Sequence, residues 1–195
     1  MALDAEQILA ATEDVLRRHG PAKATVVDVA RVLGVSHGSV YRHFPSKTAL
    51  REAVTRRWLQ RSEDELARIT ADEAAGGGVG AERVRGWLRA LFLVKRAKAL
   101  EEPELFETFR VLISEHSEVA VEHVEGMLAR LRGLIEAGVA SGDCAVADAG
   151  VAARAVFDAT ARFHHPAHVG EWELPGIEAD LDAVCTLIVD GLRAR

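Results

Sequence analysis

The feature that most constrains this chain is a glycine set between two short apolar-patterned runs near the amino end. Thr25 to Leu33 (TVVDVARVL) carries helical periodicity and opens on a capping pair, with Thr25 accepting from the Asp28 backbone N–H and Asp28 reaching back. Gly34 then ends that helix. A residue without Cβ adopts the left-handed conformation cheaply, so the chain turns sharply and Ser36 caps a second helix two residues later. Two stubby helices joined this way make a helix-turn-helix. In the second one Val40 and Phe44 fall at i and i+4 and face inward, with Val35 as an anchor before them.

The rest of that helix points outward. His37, Gly38, Ser39, Tyr41, Arg42 and His43 are small, hydrogen-bonding or basic, a mixture suited to a major groove and its flanking phosphates. Gly38 costs a helix roughly 1 kcal/mol relative to Ala, which makes sense where the backbone must come close to a base edge. Pro45 ends the helix. Ser46 caps the next, whose free N–H groups, with Lys47, offer a phosphate clamp.

The pattern T-V-x-D-V-A-x-x-L-G-V-S-x-G-S-V-Y-x-H-F-x-S-K-x-x-L, from Thr25 to Leu50, carries a resemblance. From Ile8 to about Trp58 the chain resembles the N-terminal domain of the tetracycline-repressor (TetR) family of bacterial transcription regulators. The resemblance implies a homodimer with two reading heads, a double-stranded operator as partner, repression relieved by a small-molecule effector, and His43 as a phosphate or base contact. On that reading Ser36, His37, Gly38 and Ser39 face bases, while Thr25, Tyr41, Arg42, His43 and Lys47 hold phosphates. Val27 departs from the pattern, standing where the family often has a polar or basic residue, so a contact from that helix is missing.

Helical periodicity recurs throughout and strictly alternating β-branched runs do not, so the expected fold class is all-α. A three-helix DNA-binding domain over residues 1–46 precedes a larger helical ligand-binding and dimerisation domain over 47–195, with a connecting helix at 47–70. The first helix spans about Ala5 to Arg18, capped by Asp4 with Gln7 three residues on, and buries Ile8, Ala11, Thr12, Val15 and Leu16. Helices are then expected from Ala81 to Leu100, Glu104 to Ser114, Glu118 to Ala140, Asp148 to His164 and Ile177 to Arg193. Gly76-Gly77-Gly78-Val79-Gly80 reads as a flexible link, and no strand precedes it to make it a phosphate loop.

The net charge of −6 looks wrong for a nucleic-acid partner until it is divided. Residues 1–60 hold 9 Lys/Arg against 6 Asp/Glu, and residues 61–195 hold 15 against 24, so the basic end is the one with the helix-turn-helix. No apolar run approaches the ~20 residues of a membrane span and the first residues lack a signal-peptide order, so a cytoplasmic protein is expected. Cys144 and Cys185 sit in no CxxC pairing, which argues against a disulfide framework or thiolate zinc.

Trp87, Phe92, Phe106, Phe109 and Phe157 are the candidate lining of an effector cavity, although aromatic residues at helical spacing more often pack a core. The last two helices have wide apolar stripes, which two copies would cover in an intermolecular four-helix bundle. Five histidines remain. His116 and His123 share a helix face seven residues apart, and His164, His165 and His168 cluster, so together they could hold zinc, nickel or copper in a metal-responsive regulator. A helical-bundle metalloenzyme is the remote reading, but it needs Glu-x-x-His, and Ile113, Ala120 and Ala161 stand three residues before His116, His123 and His164. No catalytic residue and no cofactor are expected.

Overall fold

The computed structural model describes residues 3–75 and 80–193, and within them the regular structure is helix, joined by turns, apart from one isolated antiparallel bridge between Cys144 and Arg193. The helices are α1 (Ala5–Lys23), α2 (Val26–Leu33), α3 (His37–Tyr41), α4 (Lys47–Ala75), α5 (Gly80–Glu101), α6 (Pro103–Ser114), α7 (Glu118–Ala140), α8 (Ala149–Ala159), α9 (Ala161–His164) and α10 (Ile177–Leu192), with a 3-10 turn at Pro166–Glu171. The glycine run expected as a link lies outside the described residues except for Gly80. At Gly80 φ is +49°, and a Cβ there would stand 1.8 Å from the Asp143 carboxylate that accepts the Ala81 N–H at 2.7 Å.

Two compact units emerge. One comprises residues 1–61 and 98–121, the other 62–97 and 122–195, so the division falls inside α4, α5 and α7.

The first unit is built on α1. Asp4 accepts from the Gln7 N–H at 2.8 Å and donates its own N–H to Gln7 Oε1 at 3.1 Å, closing the expected capping box. The helical run continues past Arg18 to Lys23, but only across a kink, because Gly20 sits at φ +70° with Pro21 after it. Ile8, Leu9, Ala11, Val15 and Leu16 form the buried stripe, with α2 and α6 packed against it. Phe106 and Phe109 of α6 meet the Trp58 ring at 6.4 and 6.0 Å between centroids, packed in the core of this unit. A buried carboxylate ties α4 to α1: Glu13 receives Arg61 at 2.8 Å, Arg17 at 3.2 Å and Arg57 at 3.4 Å. Three guanidiniums around one acid meet the requirement that a buried charge be paired.

In the second unit α10 is held to α5 by a polar row, Arg96 to Glu178 at 3.0 Å, Arg89 to Asp182 at 2.8 Å and Arg85 to Thr186 at 3.1 Å. The helix expected over Asp148 to His164 breaks at Thr160, whose hydroxyl turns back onto the Val156 carbonyl at 2.9 Å. Trp172 is 1% exposed and its indole N–H donates to the Arg162 carbonyl at 2.9 Å, fixing the 3-10 turn against α9. Cys144 and Cys185 are buried free thiols, the latter pushed up to about 11 by burial. No helix of the described residues is long and apolar enough to cross a membrane.

Candidate nucleic-acid interface and ligand pocket

The helix-turn-helix forms as its residues dictate. Thr25 Oγ1 accepts the Asp28 N–H at 3.2 Å, and its own proton goes to the Asp28 carboxylate at 2.6 Å. That hydroxyl bond, together with Arg31 at 2.7 Å, holds the Asp28 carboxyl below its usual range. Gly34 stands at φ +67°. Ser36 then caps α3, its Oγ accepting the Ser39 N–H at 3.2 Å, while Val40 is fully buried beneath.

The outward face is open. His37, Gly38, Tyr41, Arg42, His43 and Lys47 are exposed and Ser39 is half-buried. Arg42 donates to Ser39 Oγ at 3.1 Å, and the His37 and Tyr41 rings meet edge-on at 6.4 Å. Among the described residues neither Arg42 nor Lys47 has an ion-pair partner, so both charges are available to an anion. A Cβ built on Gly38 meets only Ser36 Oγ, at 3.8 Å, so nothing in the chain itself requires glycine there. Ser46 caps α4, accepting the Ala49 N–H at 3.0 Å beside Lys47. Val27 is 53% exposed on α2, apolar where a basic side chain would reach outward.

A pocket of about 250 Å³ lies within the second unit. α4 supplies Glu63, Leu66, Ala67 and Thr70, α5 supplies Trp87, and α7 supplies Gly126, Met127 and Arg130. Of the five aromatic residues expected to line a cavity, Trp87 borders this one. Phe92 packs edge-on to Phe163 at 6.3 Å, and Phe157 lies 4.2 Å from the His164 ring. Periodicity had not singled out Glu63, Gly126 or Arg130. The available signal was Gly126, a glycine inside a long helix whose Cβ would meet nothing within 4 Å.

Beside the pocket runs a buried polar chain. Lys95 Nζ lies 2.9 Å from His123 Nε2, and His123 Nδ1 lies 2.7 Å from Glu63 Oε1. Burial lowers Lys95 to about 8 against the pull of Glu63, and burial with the Lys95 charge lowers His123 to about 4. The ring is therefore neutral, accepting a hydrogen bond from the ammonium at Nε2 and donating at Nδ1 to the carboxylate.

The five histidines expected as metal ligands are not gathered. His123 is engaged as above, His164 bonds the Phe157 carbonyl at 3.0 Å, His165 accepts the Ala167 N–H at 3.2 Å and His168 pairs with Glu171 at 2.8 Å. His116 sits in an exposed turn at φ +53°. Among the described residues no three His, Cys, Asp or Glu converge on one point. Shared spacing along a helix does not bring rings to one centre when each has its own nearer partner.

A cationic helix-turn-helix face, followed by a helical unit with a pocket, is the layout of a helix-turn-helix regulator with a helical C-terminal domain. A family model described as "Tetracyclin repressor-like, C-terminal domain" matches residues 80–185, and one for "Bacterial regulatory proteins, tetR family" matches residues 8–54. The chain belongs to the TetR family of bacterial transcriptional regulators, proteins that are not enzymes. The HTH-type transcriptional regulator TtgR of Pseudomonas putida is 36% identical over 67 residues, which is 34% of this chain and 31% of that protein. The match thus spans about a third of that relative's length. In fold, a protein of unknown function from Rhodococcus sp. RHA1 superposes with a TM-score of 0.73 at 22% identity, covering 97% of this chain and 95% of that one. The transcriptional regulator FadR from Bacillus subtilis, in complex with stearoyl-CoA, gives 0.67 at 17% identity, covering 97% and 100%.

Proposed function

We propose that this chain acts as a homodimeric repressor that grips a palindromic operator and is released by a small organic effector. The reading is carried by the α3 face, where exposed His37, Tyr41, Arg42, His43 and Lys47 surround a glycine that the fold does not need. Ser36, His37, Gly38 and Ser39 face base edges. Tyr41, Arg42, His43 and Lys47 hold phosphates, whereas Thr25, its hydroxyl proton committed to Asp28, contributes through its backbone end of α2.

The dimer pairs α8 and α10, whose Val151 and Leu187 are 68% and 74% exposed. A two-fold dimer presents two reading heads to half-sites about 34–36 Å apart, one turn of duplex. The effector occupies the pocket between α4, α5 and α7. It prefers the arrangement with the heads misplaced, and a preference of roughly 1–3 kcal/mol changes affinity 5- to 150-fold. Bacillus subtilis FadR, in complex with stearoyl-CoA, is a precedent for an organic ligand on this fold. At about 250 Å³ the pocket here falls just under the ~300 Å³ at which drug-sized sites begin, so its occupant is small.

Selection of bound fragments from genomic DNA tests the reading. The expected result is an enriched inverted repeat whose affinity falls steeply with salt. Binding without sequence preference, or to a single unrepeated half-site, would overturn it.

A further inference from the structure

The pocket's two charged residues have unequal needs. Glu63 is already answered, because His123 donates to Oε1 and the buried Lys95 ammonium stands behind the ring as its counterion. Its side chain is still 42% exposed and borders the pocket. Arg130 borders the same pocket and has no ion-pair partner among the described residues. On α7, His123 and Arg130 are seven residues apart, so the two polar ends are separated by about 10 Å along the helix. The rest of the lining is Leu66, Ala67, Thr70, Trp87, Gly126 and Met127.

Each end therefore calls for a different group. Arg130, with no ion-pair partner among the described residues, is answered by a monoanion. A cation seated at Glu63 would instead stand one imidazole ring away from the Lys95 ammonium and leave Arg130 unanswered. At the Glu63 end a purely apolar group would strip water from a carboxylate without replacing its hydrogen bonds, whereas a neutral hydroxyl replaces them.

We infer that the pocket takes a small hydroxylated organic acid, its carboxylate on Arg130, its ring body against Trp87, Leu66 and Met127, and its hydroxyl donating to Glu63. This rests on the reading that the pocket holds the effector, and it adds the chemical class.

Calorimetric titration of the full chain with 6-hydroxy-2-naphthoate, 2-naphthoate and 2-naphthol tests it. The hydroxy-acid is expected to bind about 10-fold tighter than 2-naphthoate, the difference a hydrogen bond to a charged acceptor makes. Arg130→Ala should weaken both acids about 5-fold and leave 2-naphthol where it was, the modest value reflecting an exposed ion pair. Gly126→Trp, placed where a Cβ has open space, should block all three. Equal binding by the hydroxy-acid and 2-naphthol, acids indifferent to Arg130→Ala, no gain from the hydroxyl, binding that survives Gly126→Trp, or no binding by any of the three overturns the ligand class. Each of those results leaves operator selection by the unliganded protein untouched, so failure of the ligand class and failure of the regulator reading are separately visible.

Discussion

Gly38→Ala should make the protein more stable and a worse DNA binder. The added methyl meets Ser36 Oγ at 3.8 Å, an ordinary contact, so the fold accepts it without adjustment. Replacing glycine in a helix gains up to about 1 kcal/mol, less toward the first turn where Gly38 lies. For a chain of this length that corresponds to a rise in Tm of about 2–4 °C at most. On the operator the same methyl enters the layer between α3 and the base edges. Overpacking an established contact costs about 1–3 kcal/mol, a 5- to 150-fold loss of affinity. Thermal unfolding, paired with fluorescence anisotropy on a labelled operator at fixed salt, reads both quantities from one preparation. A stabilised variant with unchanged affinity would refute the close approach of α3, and a destabilised one would refute the account of the space around Gly38.

Other expectations concern charge, assembly and pH. Lys47→Ala should flatten the dependence of log affinity on log salt by about one unit, and Val27→Lys, at an exposed position on the same unit, should steepen it by about one. Leu187→Glu should convert dimer to monomer in sedimentation, because Leu187 projects 74% exposed from α10 while neighbouring Ile188 is half-buried; a retained dimer moves the interface elsewhere. His123 and His164 are both lowered to about 4, chiefly by burial, from an ordinary value near 6.5. The unfolded chain therefore binds protons that the folded one refuses. The associated stability is present above pH 6.5 and is lost as pH falls toward 4, with a slope of at most about 3 kcal/mol per pH unit for the two together. Denaturant titrations across that window should show the loss, and His164→Asn should reduce its steepness; a flat profile would contradict the neutral burial of both rings.

Much of the architecture was legible because local chemistry decides it. α7 begins at Glu118 and ends at Ala140 as its periodicity requires, and the Asp4, Ser36 and Ser46 caps form where hydroxyl or carboxylate residues precede helical runs. What a stripe cannot state is which surface will cover it. Phe106 and Phe109 repeat at helical spacing in the way a cavity wall would, but α6 turns them onto Trp58 and α1. The histidines show the same gap between spacing and distance. Lys95 and His123 were detectable in principle, since each interrupts an otherwise apolar face: Lys95 follows Leu91 and Phe92 by four and three residues, and His123 lies between Ala120 and Met127. A charged side chain in such a row asks for a buried partner, and the partner, Glu63, is sixty residues from His123.

Because the first unit is completed by residues 98–121, the reading head is not a cassette that can be lifted off the front of the chain. A chimaera that carried only residues 1–46 onto another regulator's body would leave α1 without the α6 surface that covers it, and Glu13 without Arg57 and Arg61. Exchange of operator specificity between relatives has to move α6 with the head, or else alter only the outward side chains of α3 and leave the scaffold in its own molecule.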